Sequence, residues 1–254
     1  LSHAAGLPLD LAQGLAPYRP SLSWSTLAQA CLQTPLSHPP ATQIQYSNVG
    51  YGLLALVVEA RTGFSFPEAL RDQVLEPLGI EGYLGKEPPR LPVKLSGIKG
   101  RLRDTDFEPF NSLFWRSLAM PWAGLLTTTE GALRLARTFL GEPEGFLKSN
   151  TAADARSNQN GELGGGYVRP LIWPHCPWGL GPDIHGDKKP HWVPAAASPE
   201  SFGHAGASGS LVWVDPSADV AWAIMGTRTA ASGWLLRKGP AIADAILREH
   251  GSPP

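Results

Sequence analysis

The chain has 254 residues, 28 of them glycine and 25 proline, and its 21 basic and 22 acidic side chains leave a formal net charge of -1. That length suits one large domain or two small ones, with ample apolar content for a core. Near-neutrality without a basic stripe of interleaved aromatics argues against a nucleic-acid partner, and no apolar run is long enough to span a bilayer. Cys31 and Cys176 lie far apart; they are compatible with a pair but set no disulfide framework, so the redox compartment stays undetermined. The first residue is Leu1, with neither an initiator Met nor a signal-peptide pattern, so localisation is not readable from this end.

Residues 1–20 read as loop, broken by Gly6, Pro8, Gly14, Pro17 and Pro20. A short helix is expected over Trp24–Gln33, capped by Ser23 and stopped before Pro35. After Pro39-Pro40-Ala41-Thr42 comes Tyr46-Ser47-Asn48, and then an apolar face of Leu53, Leu54, Val57 and Val58 with Gly63 as its stop. A loop residue just ahead of a helix is exposed yet held by the helix behind it, a good mount for polar groups that meet a substrate. Local chemistry fits a plainer reading equally well, with Asn48 as an N-cap and Tyr46 as a packing aromatic.

Ser65-Phe66-Pro67-Glu68 reads as a capping box opening a helix that carries Ala69, Leu70 and Val74. Residues 80–123 are mostly irregular, with a local positive bias from Lys94, Lys99, Arg101 and Arg103 that a solvated loop explains. Thr127 and Glu130 read as a second capping box, ahead of a helix with Leu133, Ala136 and Phe139. The Gly/Pro/Trp-rich stretch 141–199 is too long for a simple connection, and loops of this kind line or cover sites. Its Trp173, Trp178 and Trp192 are expected to pack the loop, with an apolar acyl pocket as the alternative.

From residue 201 the character changes. Phe202–Gly206 ends or forms a strand, Ser210–Asp215 and Asp219–Met225 read as an antiparallel hairpin, and Trp234–His250 closes the chain as an amphipathic helix whose Leu235, Ile242, Ala245, Ile246 and Leu247 cover the sheet. The expected class is α/β of the α+β type, an antiparallel sheet flanked by helices with a helical, loop-rich part. The whole of 1–254 is read as one domain, 1–200 mostly helix and loop and 201–254 the strands and closing helix.

These landmarks resemble the β-lactamase-related serine hydrolases, a superfamily of class C β-lactamases, D-alanyl-D-alanine carboxypeptidases, D-aminopeptidases and β-lactamase-like esterases. Leu1–Pro8 resembles its LLTHTSGLP segment, Pro39–Tyr51 its PGxxxxYSNxGY motif, Glu76–Ile80 its xPLGM, Ala123–Thr128 its AGGLxST, and Gly203-His204-Ala205-Gly206 its third motif, H-x-G or K-T-G. All five fall in family order along nearly the whole chain. The resemblance implies a β-lactamase/transpeptidase-like fold and an acyl-enzyme mechanism without a cofactor. It implies Tyr46 as proton shuttle, Asn48 as a hydrogen-bonding partner of substrate, and His204 on the strand across the cleft. Gly206 and Ser208 would face substrate, and the Ala207 N–H would form half of an oxyanion hole. A phenol shuttling protons needs positive charge beside it.

The family's S-x-x-K pair, the serine nucleophile and its lysine, belongs upstream of the LLTHTSGLP segment and is therefore expected before Leu1, together with N-terminal strands and a helix. Ser96-Gly97-Ile98-Lys99 has the spacing but follows Tyr46, and its glycines make a poor helix start. The isolated chain is accordingly expected to be inactive and poorly stable, with an exposed sheet edge. Its expected partners are a small ester, amide or peptide substrate and a separate N-terminal fragment. Competing readings are a ligand- or peptidoglycan-binding relative that keeps the cleft without a nucleophile, and a metal hydrolase using His175, Cys176, His185 and His191.

Overall fold

The computed structural model describes residues 1–251. Helix α1 (Trp24–Gln33) begins as expected at Ser23, whose hydroxyl accepts from the Thr26 N–H. A two-residue strand β1 (Ile44–Gln45) leads into α2 (Asn48–Thr62), which Gly63 ends in the left-handed conformation. The cap of α2 is Ser47 and not Asn48: Ser47 is extended and its Oγ accepts from the Gly50 N–H, so Asn48 is the first helical residue. The short α3 (Phe66–Leu70) opens with the Ser65–Glu68 box and runs on into a π turn over 71–75.

β2 (Gly82–Tyr83) pairs antiparallel with β3 (Leu126–Thr127), and α4 (Leu113–Ser117) lies in the irregular stretch between them. In α5 (Thr129–Arg137) the cap sits one residue later than the sequence suggests. Thr128 takes the Gly131 N–H, while the Thr127 hydroxyl donates to the Glu81 carbonyl and Glu130 pairs with Arg134. Strand β3 claims Thr127, and this moves the helix start.

The stretch 141–199 is more than loop. It holds α6 (Ser149–Ala155), β4 (Gly165–Gly166), β5 (Ile172–Trp173) and β6 (Asp183–Ile184). Two-residue strands between glycines and prolines are too short for alternation to register in sequence. β6 is one edge of a four-stranded antiparallel sheet in the order β6-β7-β8-β9, completed by β7 (Phe202–Ala205), β8 (Ser210–Asp215) and β9 (Val220–Met225). The sheet therefore starts earlier in the chain than the hairpin signal indicates.

Helix α7 (Trp234–His250) packs against β9 and buries Leu235, Gly239 and Ala243, with Ile246 and Leu247 partly covered. Ile242 and Ala245, both expected on the covered face, are exposed, Ile242 at 39%. The largest core cluster joins this helix to the sheet and the long stretch, through Trp173, Trp178, Trp192, Leu211, Trp213 and Trp222. The three loop tryptophans are thus packing residues. Cys31 and Cys176 are both buried and unpaired, and no helix of the described residues is long and apolar enough to cross a membrane.

Candidate active site

Tyr46 lies on extended chain gripped from both sides. On one side the Gln45 N–H donates to His3 O (3.0 Å) and the Asn48 N–H to Leu9 O (2.8 Å); on the other the Ile44 and Tyr46 N–H groups donate to Gly164 O and Gly166 O (both 2.8 Å). Such close approach needs glycine: a Cβ on Gly165, whose φ is +133°, would lie 2.0 Å from the Ile44 oxygen. The Tyr46 ring stacks on Tyr167 at 4.5 Å between centroids and lies 4.4 Å from His3. Trp178 sets its ring edge-on to His3 at 4.7 Å and to His204 at 6.2 Å.

Across this aromatic nest β7 delivers His204, whose Nε2 is 3.5 Å from the Tyr46 hydroxyl although 158 residues separate them. This is the long end of hydrogen bonding. Just beyond His204, the β7–β8 turn carries Gly206, Ala207 and Ser208. The Gly206 N–H donates to Ser210 O and the Gly209 N–H to Gly206 O, and Ala230 N–H binds Ala207 O. The Ser208 hydroxyl donates to Ser210 Oγ at 3.2 Å. Ala207 is exposed, and among the described residues no backbone carbonyl takes its N–H. Asn48 does not turn toward Tyr46's hydroxyl; its Nδ2 donates to Asp10 Oδ1 at 2.7 Å.

Burial pushes the Tyr46 phenol well above its ordinary range, and Tyr51, Asp183 and Asp10 push the same way. The positive charge a phenolate needs is not among these influences. Burial also lowers His204, opposed by the Asp183 carboxylate and a backbone bond at Ala205. The pair is thus a phenol facing an uncharged imidazole near neutrality. His3 is buried and held down to about 3, chiefly by desolvation, with His204 and the chain N-terminus adding to it. Its Nδ1 accepts from the Ser47 N–H at 3.1 Å, so it is the unprotonated nitrogen of the ring.

Ser96 and Lys99 do not form an aligned helical pair. Gly97 sits at φ +76°, the Ser96 hydroxyl donates to Thr227 O, and the Lys99 amine reaches Ala231 O. The metal-hydrolase residues scatter as well. His175 faces Glu162 and Asp187 on the surface, while His185 and His191 lie together in the interior. Among the described residues no three metal-ligating side chains converge. Two surface clefts, of about 530 and 840 Å³, are lined by residues other than Tyr46, Asn48 and His204. In the smaller, Arg134 and Arg137 are already paired with Glu130 and Glu142.

Three neighbours of the pair carried no functional reading in the sequence: His3, Tyr167 and Asp10, while Trp178 was read as loop packing with an acyl pocket as the alternative. His3 lay inside a motif without a role, and Tyr167 lay in the long stretch, where no pattern marks it.

A family model described as Beta-lactamase matches residues 1–245. The chain belongs to the β-lactamase family. Among its relatives, "Penicillin-binding protein 4" of Amycolatopsis lactamdurans is 31% identical over 237 residues, covering 89% of this chain and 57% of that protein. A "Putative D-alanyl-D-alanine carboxypeptidase" of Salmonella enteritidis is 26% identical over 262 residues, covering 90% and 56%. The crystal structure of a β-lactamase from Mycobacterium bovis superposes with a TM-score of 0.68 at 26% identity, over 99% of this chain and 73% of that one. The chain therefore spans a little over half the length of these curated relatives. Membership makes it part of a family of serine hydrolases with an antiparallel-sheet and helix fold.

Proposed function

We propose that this chain carries the tyrosine half of an acyl-transfer site, in a serine hydrolase that acts on a small ester, amide or D-peptide. The approach of Tyr46 to His204 carries the reading, because it joins two motif residues on opposite walls of one aromatic nest. Tyr46 is the proton-transfer group, and His204 is the hydrogen-bonding group across the cleft. The Ala207 N–H contributes to an oxyanion hole, with Gly206 leaving room and Ser208 meeting substrate. The phenol as it stands donates a proton. Making it a base requires a cation beside it, which the lysine of an S-x-x-K pair supplies in this reading.

That pair is proposed to come from a segment upstream of Leu1. The names of the two curated relatives favour a D-peptide or peptidoglycan-like substrate. The Asn48–Asp10 bond fits this, since it leaves Asn48 Oδ1 free to accept from a substrate amide N–H.

The test compares the 254-residue chain with a version extended upstream through an S-x-x-K sequence. Both are assayed on p-nitrophenyl butyrate, nitrocefin and a D-alanyl-D-alanine peptide. We expect no turnover from the chain alone, turnover from the extended version, and a loss of about 10²-fold or more in kcat for its Tyr46→Phe variant. Turnover by the chain alone that Tyr46→Phe abolishes would overturn the assignment of the nucleophile. Ligand binding by the extended version with no turnover on any substrate would favour the binding-protein reading.

A further inference from the structure

Behind the nest lies a group of charges that none of the motifs mentions. Asp183 and Lys188 are 0% and 1% exposed, and His191 is 4% exposed. The Lys188 ammonium is bonded to Asp183 Oδ1 and donates to Pro177 O at 2.7 Å. It also sits 5.1 Å from the ring centroids of both Trp173 and Trp178. The other Asp183 oxygen meets His191 Nε2 at 3.3 Å. Burial alone would raise the Asp183 carboxyl, but Lys188 and His191 outweigh it and hold it at about 2.

We propose that Lys188 and Asp183, braced by His191, form a buried ionic clamp that positions Trp178 and strand β6 against the Tyr46–His204 pair. They are positioning residues, touching no substrate. Three observations support this. The ammonium ties the carbonyl of Pro177, next to Trp178 in sequence, to a side chain of β6. One side of the cluster is the Trp178 indole, and that indole also meets His3, Tyr46 and His204. Finally, the β6–β7 register sets Asp183 opposite Gly203, the neighbour of His204.

A purely stabilising role is a weak account of such a group. Burying two charges costs nearly what their attraction returns, and apolar replacements of similar shape are often as stable. In some proteins buried polar or ionic groups instead fix one arrangement among several. The clamp also acts on His204 electrostatically. The titratable groups that act on that ring are His3 from the N-terminal segment and Tyr46 ahead of α2, with the charge of Asp183 from β6; its β8 partner, Val212, brings none. Of these, Asp183 is the one that favours its protonated form.

The inference rests on reading Tyr46 and His204 as the site, but its test needs no turnover, so the two can fail separately. Histidine imidazole and tryptophan indole signals of the full chain are followed by NMR against pH, with His204→Gln and Trp178→Phe giving the assignments. In the Lys188→Met/Asp183→Asn double variant, which removes both charges together, we expect a folded protein. Its His204 midpoint should be lower, because the Asp183 carboxylate that favours the protonated ring is gone, and the Trp178 indole signal should be displaced. A folded double variant with both signals at their wild-type positions would reduce the cluster to packing and overturn the proposal. If the double variant does not fold, Asp183→Glu decides. It keeps both charges and moves the carboxylate by one methylene, so a displaced indole signal and His204 midpoint support the clamp, and unchanged ones reject it.

Discussion

Tyr46 and His204 show how burial and charge set what a pair of side chains can do. A phenol is uncharged near neutrality even in water, and burial moves both groups further from ionisation, Tyr46 upward and His204 downward. His3 is the extreme case, and it leaves a signature in stability. Its pKa is about 3 in the folded chain and about 6.5 when unfolded, so the unfolded state takes up a proton first as pH falls. The protein should be insensitive to this group above pH 6.5 and lose up to about 1.4 kcal/mol per pH unit below it, down to about pH 3. The Asp183 carboxyl acts in a lower window: its contribution, present above its ordinary range, is lost only as pH falls toward 2. Urea unfolding at several pH values, repeated with His3→Asn, separates the two. Asn retains an acceptor for the Ser47 N–H, so the slope between pH 4 and 6.5 should flatten. An unchanged slope would move the effect to other groups, His204 and His185 among them.

At the scale of elements, caps decide where the site residues stand. Ser47 caps α2 through the Gly50 N–H and also donates to Pro8 O at 2.6 Å, tying the helix to the N-terminal segment. Thr128 caps α5 through a single bond to the Gly131 N–H. Removing the Thr128 hydroxyl as Thr128→Ala should cost about 1 kcal/mol, as for an ordinary cap. Ser47→Ala should cost about 2 kcal/mol, since the half-buried Pro8 carbonyl also loses its donor. Chemical denaturation measures both. Equal losses would mean that the Pro8 bond contributes nothing.

For the molecule as a whole, the sheet has one outer strand that invites company. β9 pairs with β8 on one side, and among the described residues no strand borders its other edge. Met225 on that strand is 39% exposed, as is Ile242 on the helix packed against it. An open edge flanked by apolar side chains promotes pairing between chains. The 254-residue chain should therefore self-associate with rising concentration in sedimentation velocity, and Met225→Lys should reduce this. Strict monomer behaviour across the range would show that the edge is protected. The proposed upstream segment would cover it in an extended version, which should then stay monomeric.

The amino-acid order alone settled much of the layout. Ser23, Gly63 and the Ser65–Glu68 box mark helix ends because capping is a matter of a few bonds within a handful of residues. The β8–β9 hairpin and α7 were legible for the same local reason, through alternation and helical periodicity. Family membership was legible too, since motif order survives in one dimension. What needed the folded chain was everything set by contacts between distant segments. β6, two residues long, has meaning only beside β7. Thr127 left the α5 cap to serve a strand pair. The turn of Asn48 toward Asp10, the stacking of Tyr167 and Trp178 around Tyr46, and the Lys188–Asp183 pair all join segments whose meeting no local pattern encodes. Local bonds are written in short spacings, whereas burial, and with it every shifted pKa in this site, is a property of the assembled interior.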